Sequence, residues 1–336
     1  MQTTTHLSFP ADRAIALFRA KAVEHELATS EADDMLTVFS PYGEIIVASE
    51  RGGARLTLTA SDRSRLYVLQ ETVDYHLDEV GAAAALRWSQ TDVGAYPPNL
   101  AFATVADCAR ISPSYYRIRL SDPSLSRFAR DGLHFRLLFA PAGNAGEWPT
   151  IAENGRTHWP AGINAWHRPV YTVRRADPDA GVFDFDVFIH EGGRMTEWCR
   201  TLAGGERVAI LGPGGEWHVA APWVGLLGDE TALPAIARHL EALPAEASGA
   251  AAILVGHADD SQELARPEGV ELRWIVRDRG ETLLDALARL AIPEQDRFVW
   301  FAGEKGEAAA ARERLVEAGL SKTEMRTAAY WVRGGK

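Results

Sequence analysis

Cysteine is scarce in this sequence: Cys108 and Cys199 are the only two in 336 residues, and they lie far apart along the chain. They make no CxxC, so there is no case for an iron–sulfur cluster or a zinc ribbon. Such low use fits a reducing compartment. Positive charge is in deficit, with 35 Lys and Arg against 46 Asp and Glu and a formal net charge of -11. No broad basic field therefore favours nucleic acid or an anionic membrane, and any anion site must be local. No apolar run approaches the ~20 residues needed to span a bilayer. The first residues, Met1-Gln2-Thr3-Thr4-Thr5-His6, show neither a charged n-region nor an apolar h-region. The expectation is a cytoplasmic protein without a signal peptide or membrane insertion. There is no catalytic triad, no metal-ligand cluster, no internal repeat and no low-complexity tract.

The length suggests two or three domains. Residues 1–95 read as a small α+β module. Ile15, Phe18, Ala22 and Val23 follow helical spacing; strand-like runs follow at 35–39, 44–48 and 54–59. A second helix carries Leu66, Leu69, Val73, Leu77 and Val80 on one face, and Ala85 to Trp88 could close with a strand. This αβββαβ order implies two layers, helices on one face of an antiparallel sheet. Asp92 to Pro98 reads as a linker. Residues 96–220 carry strand-like runs at 102–111, 115–120, 134–139, 170–174, 183–189 and 207–211, with one helix after Gly193. That pattern suggests a small antiparallel Greek-key β-barrel. A loop rich in Gly, Pro and Asn spans about 141–166, long enough to suggest function. Residues 221–336 alternate strand and helix, which argues for an α/β domain with a parallel sheet covered on both faces. Such sheets bind ligands beyond the carboxyl ends of their strands.

One stretch in the barrel draws attention, His167-Arg168-Pro169-Val170-Tyr171-Thr172-Val173-Arg174. Period-2 geometry puts Arg168, Val170 and Thr172 on one face and Tyr171 on the other. A guanidinium suits a phosphate, a phenol ring can stack on a flat cofactor, and a hydroxyl can bond a ring edge. An ordinary barrel strand would read the same way. His190-Glu191-Gly192-Gly193 ends the strand at 183–189 and opens a helix; free N–H groups and a partial positive charge there suit a pyrophosphate, and Thr196 can add a hydroxyl. Gly228-Asp229-Glu230-Thr231 follows the first α/β strand, where a nucleotide phosphate loop would lie. It lacks GxGxxG, and Asp229 and Glu230 would repel phosphates if they pointed inward. The plain alternative is two acids favoured near a helix N-terminus by its dipole.

Taken in order, these stretches stop being generic. Arg168-x-x-Tyr171-Thr172-Val173-Arg174-Arg175, His190, Trp198, Gly205-Glu206, Gly212-Pro213, Gly228 to Ala235, Trp274-x-x-Arg277, Trp300-x-Ala302-Gly303-Glu304 and Tyr330-Trp331-x-Arg333-Gly334 run through the chain from about 100 to 335. The sequence resembles the siderophore-interacting proteins, NAD(P)H-dependent ferric-siderophore reductases of the ferredoxin-reductase superfamily. Residues 1–95 resemble a small domain of unknown function that precedes flavoproteins of this type, with a His-Leu near the helix end and a closing Leu-x-Trp.

The resemblance implies a barrel that holds FAD and an α/β domain that admits NADPH or NADH. It implies that Arg168 contacts the FAD phosphates, that Tyr171 and Thr172 bracket the isoalloxazine, and that Val173, Arg174 and Trp198 belong to the same set. It places the pyrophosphate at His190 and the Gly193–Thr196 turn. Gly228, Asp229, Glu230 and Thr231, with Ala302, Gly303 and Glu304, would face the nicotinamide, and Tyr330 and Trp331 would close the flavin side. The usual Gly-Pro-Ala after the histidine reads Gly193-Arg194-Met195 here, and Ala329 stands where Gly is common. The implied activity is reduction of a ferric siderophore or other ferric chelate to release Fe(II). A basic patch for an anionic chelate would draw on Arg174, Arg175 and Arg333. The acids of Gly256-His257-Ala258-Asp259-Asp260 would disfavour a 2′-phosphate if that loop reads the ribose, whereas the resemblance favours NADPH. The alternatives are a general NAD(P)H:flavin oxidoreductase with a non-iron acceptor, and a flavoprotein that binds siderophores without turnover.

Overall fold

The computed structural model describes residues 1–25, 27–81, 86–129, 132–139, 147–160, 166–215 and 221–334. The chain divides into two compact units, one of residues 1–101 and 138–168, the other of residues 102–137 and 169–336. Among the described residues no helix is long and apolar enough to cross a membrane.

The first unit is a five-stranded antiparallel sheet in the order β1-β5-β4-β3-β2, built from β1 (Gln2–Leu7), β2 (Ala28–Ala32), β3 (Met35–Ser40), β4 (Gly43–Glu50) and β5 (Gly53–Thr59). Helices α1 (Ala11–Glu24) and α2 (Arg63–Asp78) share one core with it: Phe18 and Ala22, Leu69 and Val73, Leu36 and Val47. Two of these strands lie outside the pattern read from the sequence. β1 alternates correctly, but its inward positions are Thr3, Thr5 and Leu7, so the hydrophobic signal is thin. β2 is exposed at every position and is an edge strand, so no burial is written into it. Leu86 and Trp88 are buried, yet residues 86–88 form no strand; Ala85 lies outside the described residues. Val23 is exposed instead of joining the helix face.

The barrel sheet has the order β11-β8-β14-β6-β7-β13-β12. Its strands are β6 (Leu100–Ser112), β7 (Tyr115–Ser121), β8 (His134–Leu138), β11 (Val170–Thr172), β12 (Arg175–Asp177), β13 (Val182–Phe188) and β14 (Arg207–Gly214). Between β8 and β11 the chain forms a small hairpin of the first unit, β9 (Thr150–Ile151) with β10 (Thr157–His158). It docks on α2: Gln70 Nε2 donates to the Gly155 carbonyl at 3.0 Å, and the Tyr67 and Thr157 hydroxyls lie 2.7 Å apart. The long loop read from the sequence thus contains structure; of that span, residues 141–146 and 161–165 lie outside the described residues. The 170–174 strand is shorter than the alternation suggested. After Thr172, Val173 N–H bonds the Leu133 carbonyl and Arg174 N–H bonds the Asp184 carbonyl, so the chain changes partner strand.

Alternation in Phe183-Asp184-Phe185-Asp186 builds the barrel wall. Phe183 and Phe185 lie 4.9 and 5.1 Å from Phe135, and the Tyr171 ring is 5.3 Å from Phe185, which brings β11 against β13. The carboxylates face the other way. Asp184 stands opposite Arg119 and Asp186 opposite Arg117 in register, and each pair is bidentate at 2.7–2.9 Å. Directly opposed charges of this kind help fix strand pairing.

The α/β part of the second unit is a parallel sheet in the order β17-β16-β15-β18-β19. The strands are β15 (Trp223–Gly228), β16 (Ser248–Val255), β17 (Val270–Val276), β18 (Arg297–Glu304) and β19 (Met325–Trp331). Helix α4 (Leu233–Ala242) packs Ile236 and Leu240 on one face; α5 (Leu283–Ala288) and α6 (Lys305–Glu317) pack Leu287 and Leu315 on the other. Gly228 permits the tight turn from β15 to α4, because a Cβ there would stand 2.6 Å from Ala232 Cβ and 2.9 Å from the Ala302 carbonyl oxygen. Gly228→Ala should therefore cost about 1–3 kcal/mol by overpacking, read as a lower urea midpoint.

Candidate functional site

Barrel and α/β sheet meet within the second unit. Tyr115 and Leu133 of the barrel join the core under α4. The Tyr115 hydroxyl donates to the Glu230 carbonyl at 2.8 Å. Asp260, fully buried, accepts from Ser112 Oγ at 2.7 Å and from Ser114 N–H at 2.9 Å. Arg238 reaches from α4 to the carbonyls of Gly132 and Phe128, each at 3.0 Å.

A cavity of about 450 Å³ opens beside these ties. From the barrel side it is lined by Tyr115, His134, Tyr171, Thr172, Asp186 and His190; Glu230, Thr231 and Tyr330 come from the carboxyl ends of β15 and β19. That is where a parallel sheet is expected to bind ligands. His134 Nδ1 lies 3.3 Å from Thr172 Oγ1 and its Nε2 lies 3.2 Å from the Tyr330 hydroxyl. Burial, with Arg238 nearby, pushes the His134 imidazole down to about 4. Burial also raises the Tyr171 and Tyr330 phenols, so both stay protonated.

Of the residues singled out in the sequence, Tyr171, Thr172, His190, Glu230, Thr231 and Tyr330 come together on this cavity. The acids after β15 are engaged. Asp229 accepts from the Thr231 backbone and hydroxyl at 2.9 and 2.6 Å and from Trp331 Nε1 at 2.6 Å. Glu230 holds Arg277 in a bidentate pair at 3.0 and 2.5 Å. Both carboxylates are thus hydrogen-bonded, and Glu230 is paired with a cation. Gly303 gives Asp229 room, since a Cβ there would stand 2.9 Å from its Oδ2, and Ala302 is fully buried. Glu304 caps α6, accepting from Gly306 and Glu307 N–H at 2.6 and 3.2 Å, and takes the Arg333 N–H at 3.2 Å.

Other residues are placed elsewhere. Helix α3 (Arg194–Thr201) starts after Gly193, where a Cβ would meet the His190 ring at 2.4 Å. Thr196 Oγ1 accepts the His190 N–H at 3.1 Å, which ties the turn together, and Trp198 Nε1 donates to Glu206 at 2.9 Å. Val173 is fully buried in the barrel. Arg174 and Arg175 line a separate cavity of about 370 Å³ with Arg117 and Arg119; Arg174 Nη1 is 3.8 Å from Glu241. Arg168 belongs to the first unit, its guanidinium 4.2 Å over the Trp159 ring. Tyr115, His134 and Asp186 line the main cavity without having been singled out. His134 opens an ordinary apolar strand, and a lone histidine there carries no pattern; the Asp186–Arg117 pairing was latent in two alternating strands. Cys108 and Cys199, distant in sequence, come close, Sγ of the first 3.9 Å from the carbonyl of the second.

Comparison with known proteins covers both parts of this unit. A family model described as siderophore-interacting FAD-binding domain matches residues 104–217, and one described as siderophore-interacting protein matches residues 221–334. Among curated relatives, an NADPH-dependent ferric-chelate reductase of Escherichia coli is 30% identical over 239 residues, 68% of this chain and 91% of the relative. The ferric vibriobactin reductase ViuB of Vibrio cholerae is 28% identical over 244 residues, 67% of this chain and 86% of that protein. Among solved structures, a siderophore utilization protein from T. fusca superposes with a TM-score of 0.62 at 33% identity, covering 74% of this chain and 98% of that one. Residues 1–103 lie outside both family matches.

Proposed function

Since the chain belongs to the siderophore-interacting proteins, we propose that it is a flavin-dependent reductase of ferric chelates, taking electrons from NAD(P)H and releasing Fe(II) from a siderophore. The single observation that carries this reading is the cavity at the barrel–sheet junction, where Tyr171, Thr172 and His190 of the barrel face Glu230, Thr231 and Tyr330 of the α/β part. Its aromatic walls and buried hydroxyl suit a flat heteroaromatic ring with polar edges. In this reading residues 1–95 are a small domain, residues 96–220 apart from the 138–168 part of the first unit hold FAD, and residues 221–336 admit the nicotinamide.

Bound FAD would supply the conversion of a two-electron donor to single electrons for Fe(III). The protein's part is to bind and orient. Tyr171 and Thr172 would border the ring, and the first turn of α3 after Gly193, beside His190, would offer its free backbone N–H groups to the pyrophosphate. Gly228 to Thr231 and Ala302 to Glu304 shape the nicotinamide side, closed by Tyr330 and Trp331. Arg175 and Arg333 would meet an anionic chelate. We assign NADPH as the donor. Asp260 is turned into the barrel by Ser112 and Ser114, which leaves Asp259 as the acid of that loop that faces solvent. The E. coli relative is NADPH-dependent by name. A nicotinamide donor and low cysteine use favour work in the cytoplasm.

The absorption spectrum of the purified protein tests this. It should show bound flavin that bleaches with NADPH faster than with NADH. A colourless protein that takes up no added FAD would overturn the reading.

A further inference from the structure

His134 stands at the seam of the cavity, bonded to both parts of the second unit. Its Nδ1 faces Thr172 Oγ1 on β11 and its Nε2 faces the Tyr330 hydroxyl on β19, at 3.3 and 3.2 Å. At neutral pH the ring is uncharged, with one N–H and one lone pair. Its neighbours decide which nitrogen carries the hydrogen. The Tyr330 phenol, half-buried at the cavity, stays protonated and donates where an imidazole lone pair faces it. Nε2 is the acceptor that faces it. That leaves the hydrogen on Nδ1, which faces Thr172 Oγ1. Strand pairing puts Tyr171 and Thr172 together on β11, opposite Phe135 and His134. Thr172 Oγ1, buried on the cavity wall, then receives on a lone pair and turns its own hydrogen away from His134.

We infer that His134 is a positioning residue: as the Nδ1–H tautomer it fixes the Thr172 hydroxyl as a hydrogen-bond donor aimed at an acceptor on the edge of the cofactor ring. The inference rests on the cavity being the FAD site. A fixed donor stabilises the oxidised ring, whose edge nitrogens accept, over the reduced ring, which carries hydrogen there. His134 thereby holds the flavin potential down and makes the reduced cofactor a stronger donor to Fe(III).

Two measurements test it. In flavin-free protein, nitrogen-15 correlation spectra should show His134 protonated on Nδ1, and Tyr330→Phe should give a mixture of tautomers. In flavin-loaded protein, His134→Leu should raise the midpoint potential by about a tenfold change in the reduced-to-oxidised ratio, about 30 mV for a two-electron couple. An Nε2–H tautomer in the wild type, or an unshifted potential in a His134→Leu protein that still holds flavin, overturns the inference. If His134→Leu does not fold, the Tyr330→Phe spectra decide. A wild-type protein that binds no flavin would overturn the functional reading instead, and the tautomer would still be measurable.

Discussion

Arg238→Ala should cost about 3–5 kcal/mol in the second unit and loosen α4 from the barrel. The guanidinium is buried and donates to the carbonyls of Gly132 and Phe128 at 3.0 Å, with Val173 and Ala129 at 3.4 Å. Burial depresses its pKa to about 10, so it remains a cation at neutral pH. Truncation leaves at least two enclosed carbonyls without a donor, at roughly 1–3 kcal/mol each, and removes the packing of the long stem. Arg238→Met keeps the stem and separates the two losses. The measurement is hydrogen exchange in α4 and β7, with the urea midpoint of the same unit. A loss below about 1 kcal/mol would mean that water replaces the guanidinium freely. Because Arg238 also helps depress His134, its removal should raise the His134 pKa.

The second large effect is a stability profile with opposite pH slopes in the two units. His134 has a folded pKa of about 4 against an ordinary 6.5. A base depressed in this way favours the fold above its unfolded pKa, and that contribution is lost as pH falls from about 6.5 to about 4. Over that window the unfolded chain binds the extra proton, so stability rises with pH, by up to about 3 kcal/mol. Asp74 in the first unit runs the other way. Burial raises its carboxyl from 3.8 to about 7, while Trp88 Nε1 donates to Oδ1 at 3.2 Å and Oδ2 has no hydrogen-bond partner among the described residues. Its protonated form favours the fold below pH 3.8, and that contribution is lost as pH rises towards 7, by up to about 4 kcal/mol. Asp74→Asn keeps the Trp88 acceptor without the charge and should stabilise the first unit at pH 8. Site-resolved exchange at pH 5 and pH 8 reads both slopes; parallel slopes in the two units would contradict the account.

Much of this was legible because strong patterns coincide with burial. The Phe183–Asp186 alternation marks both the barrel core and the paired wall, and the βα repeats after residue 221 give the parallel sheet. Of the residues singled out in the sequence, Tyr171, Thr172, His190 and Thr231 line one cavity. What was not legible depends on long-range pairing. β2 has no buried position, β1 buries threonines, and the 150–158 hairpin is ordered by α2 rather than by its own residues. His134 gains its meaning only when β8 is set against β19. The acids at 229, 230 and 260 looked like obstacles to phosphate; their partners, Trp331, Arg277 and the Ser112–Ser114 turn, lie 47 to 148 residues away in sequence.

The most direct test of the central claim is an anaerobic titration. The flavin is first reduced with a limiting amount of NADPH, and a ferric siderophore is then added with an Fe(II)-specific dye present. The account predicts return of the oxidised flavin spectrum together with one trapped Fe(II) for each electron lost. Flavin that stays bleached until air is admitted, with no Fe(II) trapped across catecholate, hydroxamate and carboxylate chelates, would contradict it.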